Sequence, residues 1–278
     1  MKLMTLNTHS LVEANYTEKL QQFVEGVLSE MPDILALQEV NQTIGAPPAD
    51  AALLTGYVPA QQAIPVRADN HAAHAARLLR EAGVRCSWTY LPVKIGYGKY
   101  DEGLALLSLN REIARVDHCL ISRTGNYTNW KTRRVLGMQV EGLEDWFCTV
   151  HMGWWEDGQE PFLAQWKTLN AFASAKARHT PVWLLGDFNS PAEVRGEGYD
   201  TIAATGWHDT FLAARERDAG LTVPSAIDGW RGKTSDGMRI DHIWCSLPVG
   251  IAASRVVFNG TDHPVVSDHY GVMIETQP

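Results

Sequence analysis

Apolar and polar positions along this chain follow two rhythms. Short apolar runs of the kind that form strands cover residues 2–6, 34–37, 86–92, 103–109, 113–121, 134–140, 147–150, 182–185, 240–245, 255–258 and 270–274. Between them the spacing turns helical. Leu20, Phe23, Val24, Val27, Leu28 and Met31 share one face of a predicted helix that begins at Asn15, with Glu18 completing a capping box, and that Pro32-Asp33 stops. Phe162, Leu163, Trp166, Leu169 and Ala173 share one side of a helix over 160–176, and a further helix over 70–82 ends at Gly83. Residues 192–238 read as irregular apart from a helix over 208–219. Residues 41–69 are rich in proline and glycine without periodicity, and predict a long loop or insertion beside the site. The stretch 95–100 reads as a loop between two strands.

Both halves of the chain use the order helix, proline, apolar strand, carboxylate, with Glu39 closing one and Asp187 the other. That repetition suggests two similar halves facing each other, built from helices layered on sheets. No stretch of linker composition divides the chain, so a single domain over 1–278 is expected.

Composition narrows the chemistry. The 278 residues suffice for a sizeable core. Twenty-four Lys and Arg against 32 Asp and Glu leave a net charge of −8, which argues against a broad basic surface for nucleic acid. Four cysteines, Cys86, Cys119, Cys148 and Cys245, stand far apart without a CxxC pair, disfavouring zinc and a disulfide scaffold. No export signal and no membrane-length apolar run is visible, so a cytoplasmic setting without membrane attachment is the expectation.

Polar residues recur where apolar runs stop: Asn7, Glu39, Glu102, His151, Asp187, Asn189, Asp241, Asp268 and His269. Sheet folds gather strand ends into one crevice. Carboxylates and amides without thiols select a hard cation, Mg²⁺ or Mn²⁺. Two histidines among them suit proton transfer or contact with phosphate oxygens. Each acid taken singly has the competing reading of a cap or turn residue.

The ordered set Thr5-Leu6-Asn7, Leu37-Gln38-Glu39-Val40, Tyr100-Asp101-Glu102-Gly103-Leu104, Thr149-Val150-His151, Gly186-Asp187-Phe188-Asn189, Arg239-Ile240-Asp241-His242-Ile243 and Ser267-Asp268-His269 resembles the endonuclease/exonuclease/phosphatase superfamily, with its DNase I-like fold, over nearly the whole chain. The resemblance implies an α+β, four-layer α/β/β/α sandwich: two packed, mostly antiparallel sheets flanked by helices. It also implies roles. Glu39 is similar to the principal metal ligand, helped by Asn7 and Asp268. Asp187 resembles the residue that orients or deprotonates the attacking water, with Asn189 beside it. His269 is similar to the family's acid/base histidine, oriented by Asp241. His151 resembles the second histidine, supported by Glu102, and Tyr100 a phosphate-contacting hydroxyl.

Within that superfamily His151-Met152-Gly153-Trp154-Trp155 and Asn7-Thr8-His9-Ser10 look like the bacterial maltose 6'-phosphate phosphatases. The implied reaction is metal-assisted attack of water on a phosphomonoester of a sugar. Trp154 and Trp155 would form a wall for the sugar, or else cover the core edge. Lys131, Arg133, Arg134 and Arg239 are candidates to hold the phosphate, Arg239 foremost because it lies two residues before Asp241. A phosphodiesterase or nuclease of the same fold and a binding protein without catalysis are the rival readings.

Overall fold

The apolar runs close into two sheets packed face to face, in a computed structural model that describes residues 1–177, 180–224 and 237–277. In chain order the elements are β1 (Lys2–Asn7), α1 (Tyr16–Glu30), β2 (Ile34–Thr43), α2 (His71–Glu81), β3 (Cys86–Gly96), β4 (Tyr100–Leu109), β5 (Ile113–Leu120), β6 (Arg134–Val140), β7 (Trp146–His151), α3 (Phe162–Lys176), β8 (Val182–Asp187), α4 (Gly198–Ala204), β9 (His208–Asp209), α5 (Thr210–Ala213), β10 (Ala214–Arg217), β11 (Asp241–Cys245), β12 (Ile251–Val257) and β13 (Gly271–Thr276). One sheet has the order β10-β12-β13-β1-β2-β4-β3, the other β5-β6-β7-β8-β11-β9. Pairing is antiparallel except at β1–β2, β10–β12 and β7–β8.

The continuous apolar runs have a simple cause: both faces of the central strands are covered. On β2, Ile34 and Ala36 face the other sheet while Leu35 and Leu37 face α1 and α2. On β8, Trp183 and Leu185 join the core between the sheets, and Val182 and Leu184 pack toward α3. The result is the four-layer sandwich expected from the sequence. In β1-α1-β2 and β7-α3-β8 a helix joins two parallel neighbours, because a parallel pair needs a crossover. Across the sandwich, the buried Gln38 side chain donates to Thr149 Oγ1 at 2.8 Å and to Thr5 Oγ1 at 3.0 Å, tying the two sheets together.

Several expectations need correction. Asn15 precedes α1 in a left-handed conformation and its side chain caps nothing, so no capping box forms. Leu163 is 52% exposed and Met31 38%, so neither belongs to its helix's buried face. The helix over 208–219 is instead β9, one turn of helix and β10. Asp209 caps α5 by accepting from Phe211 N, and the chain then turns extended to pair with β12. Residues 225–236 of the irregular stretch lie outside the described residues. β3 and β4 each reach further than their apolar runs, leaving only three residues between them where a six-residue loop was expected. Among the described residues no helix is long and apolar enough to cross a membrane.

Candidate active site

Local backbone devices aim the key side chains. Leu37 pairs with Ala105 and Val40 with Gly103, so β2 carries an extra residue relative to β4. Glu39 sits in that bulge at φ 50°, a left-handed conformation uncommon for a side-chain-bearing residue. At the end of β8, Gly186 adopts φ 147°, and only glycine fits there because a Cβ would lie 2.0 Å from the Val150 carbonyl oxygen. Asn189 follows at φ 47°. Strain of this kind persists where surrounding contacts over-determine it, typically at functional sites.

These residues meet at a cavity of about 290 Å³ lined by Glu39, Lys94, Gly96, Tyr97, Glu102, Trp130, Arg133, His151, Trp154, Asp187, Asn189, Asp268 and His269. Asp187 is its hub. Its Oδ1 accepts from Asn189 N at 2.8 Å and its Oδ2 from Asn7 Nδ2 at 3.2 Å. His151 Nε2 lies 3.5 Å and His269 Nε2 3.9 Å from the same Oδ2. Burial, then the charge of Asp241, pushes the Asp187 carboxyl up to about 7, against the pull of His269 and the bonds from Asn189 and Asn7.

The two histidines are set to opposite charge states. His269 Nδ1 lies 2.9 Å from Asp241 Oδ2. Burial alone would lower its pKa, but the charge and hydrogen bond of Asp241, with Asp187 and Asp268, hold the imidazolium up to about 10. His151 is kept neutral: burial first, then the charges of Arg133, Lys94 and His269, hold its pKa well below the usual value.

Asn7 Nδ2 also donates to Glu39 Oε1 at 2.9 Å. Burial, then the charges of Glu102 and Asp268, raises the Glu39 carboxyl. Carboxylates turned on one another in a cavity without thiols are the donor set a hard divalent cation satisfies, so Glu39, Asp268 and Asn7 fit such an ion. A further group, His9, Glu13 and Asp268, stands next to it. His9 Nδ1 is 2.6 Å from Glu13 Oε1 and 3.9 Å from Asp268 Oδ1.

Some predicted positions differ. Tyr100 lies outside the cavity lining, its hydroxyl donating to the Leu11 carbonyl at 3.1 Å; Tyr97 takes a place on the wall. Glu102 does line the cavity but pairs with Lys94 at 3.0 Å rather than backing His151. Arg239 points away into a buried cluster, bonding Asp209 at 2.8 Å and His242 Nδ1 at 3.0 Å. It precedes the strand that begins at Asp241, so strand alternation does not carry back to it. Arg134 pairs opposite Leu120 in β6 and stands off the main cavity, and Lys131 is held by Asp157 at 2.6 Å. Trp155 packs on Phe162 in the outer core. The indole facing Trp154 is Trp130, edge to face at a centroid distance of 5.6 Å. Residues 41–69 do not border the cavity; Leu53 and Val66 bury against the outer core beside α2.

Lys94, Tyr97 and Trp130 were missed. Trp130 carried a signal, a large ring in a polar loop. Lys94 carried none, because a bulge sets its direction. Pro92 pairs with Gly103 and Lys94 with Glu102, so one extra residue turns Lys94 onto the face of Glu102.

The endonuclease/exonuclease/phosphatase family profile matches residues 4–269. No curated protein sequence matches the chain. Among solved structures, an endonuclease/exonuclease/phosphatase family protein from Leptotrichia buccalis is 25% identical, with a TM-score of 0.84 and 100% of both chains covered. A mannosyl-6-phosphatase from Bacteroides thetaiotaomicron is 16% identical at a TM-score of 0.67, again over 100% of both chains. TDP2 from Caenorhabditis elegans is 18% identical at 0.64, covering 100% of this chain and 74% of that one.

Proposed function

This chain belongs to the endonuclease/exonuclease/phosphatase family, and from that premise we propose that it is a divalent-metal-dependent phosphatase releasing inorganic phosphate from a sugar phosphate such as maltose 6'-phosphate. The observation that carries the reading is the cavity itself. Its catalytic groups lie at the bottom of a recess of about 290 Å³ with the indoles of Trp130 and Trp154 on its wall, a shape suited to one terminal phosphoryl group with a ring stacked above it. A duplex would instead ask for a long basic groove, and the net charge of −8 opposes one. Likeness in fold to a mannosyl-6-phosphatase agrees with this reading.

Glu39, Asp268 and Asn7 would hold Mg²⁺ or Mn²⁺, which when bound neutralises phosphoryl charge and stabilises the departing oxygen. Asp187, ionised above about pH 7, takes a proton from water, and Asn7 and Asn189 fix its orientation. The water oxygen forms the new bond to phosphorus as the ester bond to the sugar breaks; the departing sugar oxygen takes up a proton from solvent and Asp187 returns its own to solvent, giving the free sugar and inorganic phosphate. His269, cationic through Asp241, donates from Nε2 to a phosphoryl oxygen as charge builds there. Neutral His151 adds a donor without adding charge.

A panel of sugar 6-phosphates, bis(p-nitrophenyl) phosphate and plasmid DNA, incubated side by side with Mg²⁺, tests the proposal. Phosphate release from at least one sugar 6-phosphate should exceed diester cleavage in kcat/KM. Cleavage of plasmid or diester with no monoester turned over would refute it.

A further inference from the structure

We propose that Lys94 and Arg133 form a two-cation seat that makes the site prefer a doubly charged terminal phosphoryl group over a singly charged diester. This rests on the phosphomonoesterase reading above. Arg133 is 3% exposed and lines the cavity. Its Nη1 donates to the carbonyls of Trp130 at 2.9 Å and Thr132 at 3.2 Å, and its guanidinium lies 5.9 Å from the Trp154 ring centre. Among the described residues no carboxylate forms an ion pair with it, and its buried Nε has no hydrogen-bond partner. Glu102, Asp187 and Glu39 attract it only from beyond ion-pair distance, so a buried guanidinium with no direct carboxylate partner and a free Nε is set for an anion that arrives from outside.

Lys94 stands on the same wall, with Glu102 3.0 Å away. It is there only because of the one-residue bulge in β3; both cations line the main cavity and also border His151 in a small adjoining recess with Val93 and Thr132. Glu102 offsets one of the two charges until phosphate enters. Above the second phosphate ionisation a monoester carries two negative charges and a diester one, so each buried cation in contact with the phosphoryl oxygens favours the monoester.

The test uses p-nitrophenyl phosphate and bis(p-nitrophenyl) phosphate, which share a leaving group, at pH 8 with Mg²⁺. For Lys94→Met the monoester-to-diester ratio of kcat/KM should fall at least tenfold, and Lys94→Arg should restore most of it. The double variant Lys94→Met/Glu102→Gln should keep the reduced ratio, because the cation itself is what is missing. Recovery of the wild-type ratio in the double variant would mean that stranding Glu102 caused the loss, and would overturn the seat. So would an unchanged ratio in both Lys94→Met and Arg133→Met, each confirmed folded by its thermal melt. A wild type that favours the diester would refute the phosphomonoesterase reading itself, a result distinct from either of these.

Discussion

Single residues at this site are held where chemistry needs them by conformations that few other residues would tolerate. Gly186 is the sharpest instance: its φ of 147° and a virtual Cβ at 2.0 Å from the Val150 carbonyl leave no room for alanine. Gly186→Ala should destabilise by about 2–4 kcal/mol and displace Asp187 as well, read as a lower urea midpoint together with a lower kcat. Glu39 makes a different prediction. With its half-buried carboxylate as the proposed principal ligand, Glu39→Gln should weaken Mg²⁺ binding at least tenfold in a calorimetric titration while the fold persists, since the substitution is isosteric. Most residues of the site were legible because they sit where apolar runs end, and strand ends converge. Lys94 was hidden because its direction depends on a bulge that nothing in Pro92-Val93-Lys94 announces. Arg239 escapes the strand pattern because alternation starts only at Asp241, the first residue of β11.

At the scale of elements, strands with both faces buried were readable from continuous apolar runs, and their lengths were read short. β3 and β4 continue through Lys94, Asp101 and Glu102, polar residues that their pairing buries at the cavity end of the sheet. The helix expected over 208–219 shrinks to a single turn that Asp209 caps, and Asp209 also anchors Arg239 from β9. That ion pair is buried, with 8% and 4% of the two side chains exposed. Burial would raise the Asp209 carboxyl, but the charges of Arg239 and His242 and the bonds from Arg239 and Tyr199 hold it below its ordinary value. A carboxylate depressed in the folded state contributes stability that is fully present above its unfolded value, about 3.9, and is lost as pH falls through the folded one. Asp209→Asn should therefore cost about 3–5 kcal/mol at neutral pH by stranding Arg239. The gap from wild type should narrow below about pH 4, measured by urea midpoints across pH. A gap independent of pH would show that Asp209 acts through packing alone.

On the scale of the whole molecule, two sheets bring the tips of β1, β2, β7, β8 and β11 together, so residues distant in sequence share one cavity. Asn7 from the first sheet bonds Asp187 of the second at 3.2 Å, and Gln38 spans the interface to Thr149. The repeated order of helix, strand and carboxylate made this meeting of Glu39 and Asp187 foreseeable; the paired indoles of Trp130 and Trp154 were not, because they come from separate loops. The proposed chemistry depends on that convergence, with Asp187 as its centre. The most direct measurement is inorganic phosphate released from a sugar 6-phosphate with Mg²⁺ by wild type, Asp187→Asn, His269→Gln and the double variant. Each single variant should lose about 10²–10⁴-fold in kcat, and the double should lose little more than the worse single, because the two act as a unit. A folded Asp187→Asn protein releasing phosphate at near the wild-type rate would contradict the account.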